Sequence, residues 1–256
     1  MSVVALALVA GVHAMSVTKL KLWSSAACPY AQRARIALEE SGVSYDLVIE
    51  DLSAKSEGFI AAYAEANPGG RAKVPVLEVD DLVICESLVI TEYVAETAWA
   101  HNLSPEQRAI ARLMVEVSPF SGYFEVLKAR YDADDLADAV SAFAAKIGNF
   151  EKFLSKHAAG PFLFEDFCFA EAAIAPFVKR SVLCLNHFID VDIRDVCQFR
   201  NCPRTLAFVE ACLERPSVLT TSLPDEEYIA GTKALLARFD EAARKAREKA
   251  PSSALK

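Results

Sequence analysis

Residues 20–42, LKLWSSAACPYAQRARIALEESG, contain a short strand, a turn and a helix in sequence order. Leu20 and Leu22 alternate with lysines, which is the two-residue period of a half-buried strand. The spacing of apolar residues between 31 and 40 instead favours a helix, and Ser41-Gly42 is a typical helix stop. The stretch therefore predicts a strand that leads through a turn of small residues into a helix.

The pattern of alternating strands and helices continues to about residue 98. The predicted strands cover 45–49, 74–79 and 82–84, and the predicted helices cover 57–66 and 88–98. Asp80-Asp81 lies between two strands and predicts a hairpin, whereas Asn67-Pro68-Gly69-Gly70 ends a helix. The order is βαβαββα, which predicts a small mixed sheet with helices on its faces.

Strand signals are missing after residue 101. Ser104-Pro105-Glu106-Gln107 combines an N-cap serine, a proline at the first helical position and a glutamine at the third, so it predicts a capping box. Further helices are predicted around an apolar stripe at 136–154 and at 169–184, 203–214 and 225–246. We therefore predict an α/β plus all-α chain, with a βαβαββα domain over 17–99 and an all-helical domain over 104–248.

Composition restricts the classes of partner. Of 256 residues 53% are hydrophobic, and 27 Lys plus Arg against 35 Asp plus Glu give a net charge of −8. This composition predicts a folded globular protein and argues against a nucleic-acid partner, because phosphate binding needs clustered cations. No stretch reaches the roughly 18 apolar residues of a membrane span, so we expect no stable membrane insertion. The seven cysteines form an odd, scattered set, which favours reduced thiols and a cytoplasmic location.

Residues 1–16 form an N-terminal extension or a targeting segment. The apolar run from Val3 to Val12 and the small-residue sequence Val12-His13-Ala14 are typical of a signal peptide, but no Lys or Arg precedes them. Three interpretations stay open: a cleaved segment over 1–14 that directs the chain to an organelle or the secretory route, a packed extension, and an upstream start before Met15.

Cys28 lies where the first strand leads into the first helix. A thiol at a helix start faces unpaired backbone N–H groups and the positive end of the helix dipole, which favours the nucleophilic thiolate. The alternative is a cysteine that only fills space as a small apolar residue. Ala31 stands three residues on, so a dithiol cycle through a C-x-x-C pair is excluded.

Two downstream segments carry groups suited to binding a peptide-like ligand. Val74-Pro75 places proline at a strand start, where a cis bond would turn the chain and expose the N–H and C=O of Val74. Glu86-Ser87 precedes the next helix, so a carboxylate, a hydroxyl and helix N–H groups converge there. Such a set can hold a ligand with both an amine and a carboxylate; plain helix capping is the alternative.

Together, Cys28-Pro29-Tyr30, Val74-Pro75 and Glu86-Ser87 resemble the glutathione transferase superfamily, and the cysteine motif resembles its omega-like members. The resemblance implies a thioredoxin-like N-terminal domain, a helical C-terminal domain and glutathione as co-substrate. It implies that Cys28 is catalytic and that glutathione is bound by Pro29, Tyr30, Lys73, Val74, Pro75, Glu86 and Ser87. Of these, Lys73 is placed like the family lysine near the glycyl carboxylate of glutathione, with Arg71 as an open alternative.

The resemblance extends into the helical half. The segment from Gly160 to Pro176 is similar to a family element with a capping box, and Arg215-Pro216-Ser217-Val218 is similar to another. Cys168 departs from the family pattern because it stands where serine or threonine is usual. A thiol is a weaker acceptor than a hydroxyl, which predicts a less firmly capped helix.

The implied activity is glutathione-dependent thiol transfer or reduction through a mixed disulfide on Cys28, such as deglutathionylation or dehydroascorbate reduction. The implied partners are a small-molecule or glutathionylated-protein substrate and a second copy of the chain in a homodimer. Conjugation or ether cleavage of a hydrophobic substrate, or a non-catalytic interaction protein of the same fold, are the alternatives.

Two further sets of residues are weaker candidates. Aromatic residues of the first long helix could line an acceptor pocket or belong to the core, namely Phe120, Tyr123, Phe124 and Tyr131. Cys197 and Cys202, with His187 nearby, lack the paired C-x2-C spacing of a zinc site, so no metal is expected.

Overall fold

The computed structural model describes residues 19–99, 103–158 and 160–249, with side chains described to residue 241. The predicted extension at 1–16 and its cleavage site lie outside the described residues. The first part of the chain contains β1 (Leu20–Ser24), α1 (Pro29–Ser41), β2 (Asp46–Ile49), α2 (Glu57–Ala66), β3 (Val76–Val79), β4 (Leu82–Cys85) and α3 (Ser87–Thr97). The predicted βαβαββα order is confirmed.

The four strands form one mixed sheet in the order β2-β1-β3-β4. β1 pairs in parallel with β2 and antiparallel with β3, and β3 pairs antiparallel with β4. Leu22 of β1 is fully buried, in agreement with the alternating pattern. Helix α1 ends at Gly42, whose φ of 67° is the left-handed conformation that glycine adopts without a steric penalty.

Every described element after α3 is helical. The α-helices are α4 (Pro105–Val117), α5 (Tyr123–Lys128), α6 (Ala133–His157), α7 (Phe169–Ile189), α8 (Ile193–Phe199), α9 (Pro203–Glu214), α10 (Pro216–Thr221) and α11 (Asp225–Lys249). The predicted capping box of α4 is confirmed, since Ser104 and Gln107 each accept the backbone N–H of the other. Within the described ranges, no helix is both long and apolar enough to cross a bilayer.

The first long helix is shorter than the aromatic spacing suggested. α4 ends at Val117, and Pro119 leads into a 3₁₀ turn at Phe120–Gly122 before α5 begins. Proline has no N–H to donate and its ring clashes with the preceding turn, so the helix does not continue through it. A second 3₁₀ turn, Ala129–Tyr131, follows α5. The four candidate aromatic residues therefore lie on these two turns and on α5 rather than on one helix.

Phe120 is a core residue in this structure. Its side chain is fully buried and its ring centroid lies 5.8 Å from that of Phe150 and 6.1 Å from that of Phe208. A ring with no exposed surface offers no wall to a substrate, so Phe120 belongs to the core and does not line an acceptor pocket.

Helix α7 is buried along most of its length, and its first turn depends on the carboxylate of Glu171. This fully buried group accepts the N–H of Leu163 at 2.8 Å and the N–H of Cys168 at 2.9 Å. Burial raises the pKa of Glu171, and its hydrogen bonds oppose that shift. Glu171 therefore supplies hydrogen bonds at the helix start where Cys168 replaces the usual hydroxyl residue.

Glu171→Ala should lower the free energy of unfolding by about 2–6 kcal/mol, because two buried N–H groups lose their acceptor at about 1–3 kcal/mol each. Glu171→Gln should lower the free energy of unfolding by less, since its amide retains one acceptor oxygen. Urea unfolding followed by circular dichroism measures both. Glu165→Ala, at an exposed carboxylate nearby, is the matched control. Equal stability of Glu171→Ala and the control would contradict this role for Glu171.

Candidate functional site

Cys28 is the N-cap residue of α1. Its N–H donates to the carbonyl of Ser25 at 3.2 Å, and its own carbonyl accepts the N–H of Gln32 at 3.0 Å. The thiol is partly exposed. Pro29 is the first residue of the helix, where a missing N–H costs nothing. The loop and helix start therefore leave Cys28 partly exposed at the N-terminus of α1, where its side chain makes no capping hydrogen bond to the helix.

A cavity of about 350 Å³ opens beside Cys28. The other residues of its wall are Tyr30, Leu52, Lys55, Arg71, Ala72, Lys73 and Val74. Lys55 donates to the carbonyl of Ala72 at 2.7 Å and so ties the loop after β2 to the loop before β3. Three cations at one cavity of an acidic protein favour an anionic ligand. Arg71 and Lys73 both line this cavity, so its geometry does not decide which of the two would bind the glycyl carboxylate.

A second cavity, of about 300 Å³, adjoins the first and shares Tyr30, Lys73 and Val74 with it. Its wall contains every residue predicted to bind glutathione except Pro29. It also contains Tyr63, whose hydroxyl accepts a hydrogen bond from the Asn67 amide. The Val74-Pro75 peptide is cis, and the β1–β3 ladder begins only at Val76.

Glu86 and Ser87 stand at the turn from β4 into α3. The backbone of Glu86 has a φ of 72°, a strained conformation for a residue with a side chain. Its side chain makes no capping hydrogen bond to α3. Strained backbone of this kind costs about 1–3 kcal/mol and concentrates at binding sites. Glu86 is therefore not a helix-capping side chain.

Arg33 is a residue of this site that the sequence analysis missed. It lies on α1, only 8% exposed, and donates from Nε to the carbonyl of Ala173 at 2.7 Å and from Nη1 to Ser87 Oγ at 3.2 Å. Burial lowers its pKa to about 10, while the charges of Tyr30 and Cys28 oppose the shift. Nothing in the sequence distinguishes it from Arg35, two residues along the same helix.

Arg180 of α7 ties the Cys28 loop to the helical domain. Its guanidinium donates to the carbonyl of Ala27 at 2.9 Å and to Oε1 of Gln32 at 2.8 Å. The ring of Tyr228 from α11 packs 4.5 Å from the guanidinium carbon, and its hydroxyl also bonds Gln32. The carbonyl next to Cys28 is thus fixed by a side chain more than 150 residues away in sequence.

The remaining aromatic candidates separate in space. Tyr123 is buried, which raises its pKa to about 12; the charge of Arg180 opposes the shift, and smaller contributions come from groups that include Tyr30 and Cys28. Phe124 packs on Phe239 of α11. Tyr131 is 69% exposed and hydrogen bonds to Asp240. The structure therefore buries Tyr123 and leaves Tyr131 on the surface.

Cys197 and Cys202 are neighbours at the end of α8. The N–H of Cys202 donates to the carbonyl of Cys197 at 2.8 Å, and both thiols are buried. Across the described part of the chain, no group of three or more His, Cys, Asp or Glu side chains is arranged to hold a metal ion.

Comparison with known proteins agrees with this geometry. Residues 27–97 match the family model described as Glutathione S-transferase, N-terminal domain. Glutathione S-transferase U28 of Arabidopsis thaliana is 29% identical over 228 residues, covering 83% of this chain and 91% of that protein. Glutathione S-transferase DHAR3, chloroplastic, of the same plant is 27% identical over 207 residues, covering 80% of this chain and 72% of that protein.

A solved structure extends the likeness to both domains. Glutathione transferase Omega 1C from Trametes versicolor superposes with a TM-score of 0.63 at 26% identity, covering 86% of this chain and 97% of that one. The chain belongs to the glutathione transferase superfamily. Its thioredoxin-like domain and helical domain are those that the sequence resemblance predicted.

Brief treatment with limiting iodoacetamide should modify Cys28 first. Apart from Cys28 and Cys85 the described cysteines are buried, and the pKa of Cys85 is raised by burial and by the charge of Glu86. Peptide mapping by mass spectrometry locates the label, with Cys28→Ser as the control that should lose the fast reaction. Faster labelling of Cys85 than of Cys28 would contradict the assignment of Cys28 as the accessible nucleophile.

Proposed function

We propose that this protein is a glutathione-dependent thiol transferase or reductase that acts through a mixed disulfide on Cys28. The observation that carries the proposal is the position of a partly exposed thiol at the α1 N-cap, on the wall of a cavity lined with cations. Similarity to the Omega 1C transferase supports it, because the omega class is the one that the Cys28-Pro29-Tyr30 motif resembles.

The reaction has two steps. The Cys28 thiolate attacks the glutathionyl sulfur of a disulfide between glutathione and a small molecule or protein. A bond forms between Cys28 and glutathione, and the other sulfur leaves as a thiolate that takes up a proton. A second glutathione then attacks the mixed disulfide, which releases oxidised glutathione and restores Cys28. Ala31 is not a thiol, so the second thiol comes from solution.

Dehydroascorbate is the second substrate class that fits the same thiol. Its reduction to ascorbate takes two electrons and two protons, which two glutathione molecules supply as they become oxidised glutathione. The Cys28 thiolate adds to a carbonyl carbon of dehydroascorbate, and a first glutathione attacks the Cys28 sulfur of this adduct. The carbon–sulfur bond breaks, ascorbate leaves after protonation, and the mixed disulfide on Cys28 forms. A second glutathione then restores Cys28 and releases oxidised glutathione.

Glutathione would lie across both cavities. Its γ-glutamyl amine would meet Glu86 and its α-carboxylate would meet Ser87, while the Val74 backbone would pair with its cysteine. The glycyl carboxylate would lie among the cations of the Cys28 cavity, where Lys55 joins Lys73 and Arg71 as a candidate. Pro29 and Tyr30 would flank the sulfur, with the Tyr30 ring packed edge-on against Phe177 at 5.3 Å.

The location and assembly of the protein are proposals too. The seven cysteines form no disulfide, which supports a reducing compartment: the cytoplasm or, through residues 1–14, an organelle. A homodimer is supported by exposed apolar side chains on α3 and α4, where Val89 is 54%, Leu113 45% and Val117 41% exposed. The two helices adjoin, since Arg112 of α4 pairs with Glu92 of α3.

Cys28→Ser should abolish glutathione-dependent reduction of a small mixed disulfide, because an alcohol does not replace a thiolate as nucleophile. The same variant should keep or increase conjugation of an aryl halide, since a serine hydroxyl can stabilise the thiolate of bound glutathione. Both rates are followed spectrophotometrically on the same preparations. Cys85→Ser, at the other partly exposed thiol, is the matched control and should keep both activities.

Full thiol transfer by Cys28→Ser would exclude the mixed-disulfide mechanism. Loss of both activities with glutathione affinity intact would favour an enzyme in which Cys28 serves conjugation. Absence of both activities in the wild-type protein would favour the alternative of a non-catalytic interaction protein.

Light scattering at micromolar concentration should give the mass of a dimer. Leu113→Glu should shift it to the monomer, because a charge in an apolar interface loses its hydration. Leu235→Glu, at a similarly exposed leucine of α11, should leave the mass unchanged. A wild-type monomer would contradict the proposed assembly.

A further inference from the structure

Helix α8 ends in a Schellman motif whose two contact positions are both cysteines. The N–H of Cys202 donates to the carbonyl of Cys197 at 2.8 Å, and the N–H of Asn201 donates to the carbonyl of Gln198 at 3.1 Å. Asn201 has a φ of 51°, the left-handed conformation that this helix ending requires. The side chains at the two ends of such a motif form an apolar contact, and here those positions hold Cys197 and Cys202.

The backbone hydrogen bond also limits the distance between the two cysteines. Standard bond lengths place the carbonyl oxygen about 2.4 Å from the α-carbon of Cys197 and the amide nitrogen about 1.5 Å from that of Cys202. With 2.8 Å between oxygen and nitrogen, the two α-carbons are at most about 6.7 Å apart. Disulfides join cysteines whose α-carbons lie about 4.4–6.8 Å apart, so this pair does not exceed the limit.

Both thiols are buried in the same apolar surroundings. Cys197 is 1% and Cys202 3% exposed, and both belong to one cluster of buried residues. Burial raises the pKa of Cys197 to about 12, and the charge of a Cys202 thiolate adds to the rise. The pKa of Cys202 is raised by burial and then by the charge of Glu151. The pair is therefore held as protonated thiols that react slowly in the closed structure.

The segment that covers the pair is short and exposed. Residues 198–201 are all exposed, Phe199 to 90%, and α8 has only 7 residues. The start of α9 is held more firmly, because Glu151 of α6 accepts the N–H groups of Arg204 at 3.1 Å and Thr205 at 2.7 Å. Short, exposed elements open locally at low cost in free energy. We expect the end of α8 and its turn to open while α9 stays in place.

We propose that Cys197 and Cys202 form a reversible disulfide when the protein meets a peroxide, so that this pair is a second redox site separate from Cys28. Neither cysteine is among the residues that line the two cavities of the candidate site. The bond closes a ring over the exposed turn and ties the end of α8 to the start of α9. The pair needs no bound glutathione, so the inference goes beyond the proposed function.

The oxidation has two steps. The Cys202 thiolate of the opened turn attacks one oxygen of hydrogen peroxide, and the oxygen–oxygen bond breaks to give a sulfenic acid and a hydroxide, which takes up the thiol proton to become water. The sulfur of Cys197 then attacks the sulfenic sulfur. The disulfide forms, and the departing hydroxyl leaves as a second water with the Cys197 proton. Two electrons pass from the sulfurs to the peroxide, and a thiol reductant reverses the change.

Tryptic mapping without reductant tests the proposal. Trypsin cuts between the two cysteines after Arg200, and on either side after Arg194 and Arg204. Peptides 195–200 and 201–204 are therefore held together only by a disulfide. The folded protein is treated with hydrogen peroxide, its remaining thiols are alkylated in urea, and the digest is examined by mass spectrometry. We expect one linked species, two hydrogens lighter than the sum of the two peptides, and separate peptides after reduction.

Variants identify the bond. The background is Cys28→Ser, which removes the thiol of the candidate site and leaves the buried pair unchanged. In this background Cys202→Ser should lose the linked species, and Cys197→Ala should lose it too where the first variant folds poorly. The matched control is Cys184→Ser, which should retain the bond, because Cys184 is equally buried but its sulfur contacts Thr232 Oγ1 at 3.4 Å.

Three results would overturn the proposal. In the first, peptides 195–200 and 201–204 are both fully alkylated although the same treatment has oxidised Cys28 of the wild-type protein. In the second, the linked species forms only when the peroxide is added in urea, so that the bond does not belong to the folded protein. In the third, either cysteine is joined to a cysteine outside the pair.

Discussion

The site depends on buried hydrogen bonds between α1 and α7. Helix α1 starts at Cys28 and carries Gln32 and Arg33, two polar side chains that are almost completely buried. Such groups are stable in the interior only when they have partners, and α7 supplies them through Arg180 and the carbonyl of Ala173. The same two arginines, Arg180 and Arg33, also donate to the carbonyl of Ala27 beside Cys28 and to the hydroxyl of Ser87.

This arrangement explains why a small sheet domain is joined to a larger helical one. The sheet and its loops provide the two adjoining cavities, but part of the hydrogen-bonding that orients their walls comes from the helical domain. A second contact, between Arg215 and Glu40 at the far end of α1, holds the domains together away from the site. The two ends of α1 are thus held separately, one by the hydrogen bonds beside Cys28 and one by a partly buried ion pair.

Charge is distributed unevenly along the groove. The protein has a net charge of −8, yet Lys55, Arg71 and Lys73 gather at the Cys28 cavity and Arg33 lies behind the second one. Glu86 is the acidic side chain on the wall of the second cavity. Glutathione carries a carboxylate at each end and an amine near one of them, so the two cavities together offer side chains of the opposite charge to its carboxylates and to its amine.

Local patterns in the sequence were sufficient to predict the strands and the long helices. Leu20 and Leu22 lie on a strand, Ser104 and Gln107 form the capping box, and the order of elements is as predicted. The short helices α8 and α10 have only 7 and 6 residues and carry too little periodicity to be recognised.

Site residues with a local signal were placed by motif, namely Cys28 at a helix start and Glu86-Ser87 before α3. Arg33, Lys55 and Arg180 were missed because their roles arise from contacts across the tertiary structure, which no local pattern records. Phe120 stayed open between a pocket wall and the core, because aromatic spacing alone does not distinguish the two.

In the proposed mechanism Cys28 itself forms the bond to glutathione. The intact mass of the protein after treatment with oxidised glutathione, followed by peptide mapping, tests this directly. We expect one glutathionyl group, located on Cys28, that a reductant removes and that Cys28→Ser does not acquire. An adduct located on another cysteine, or an unmodified Cys28 in protein that binds glutathione, would contradict it.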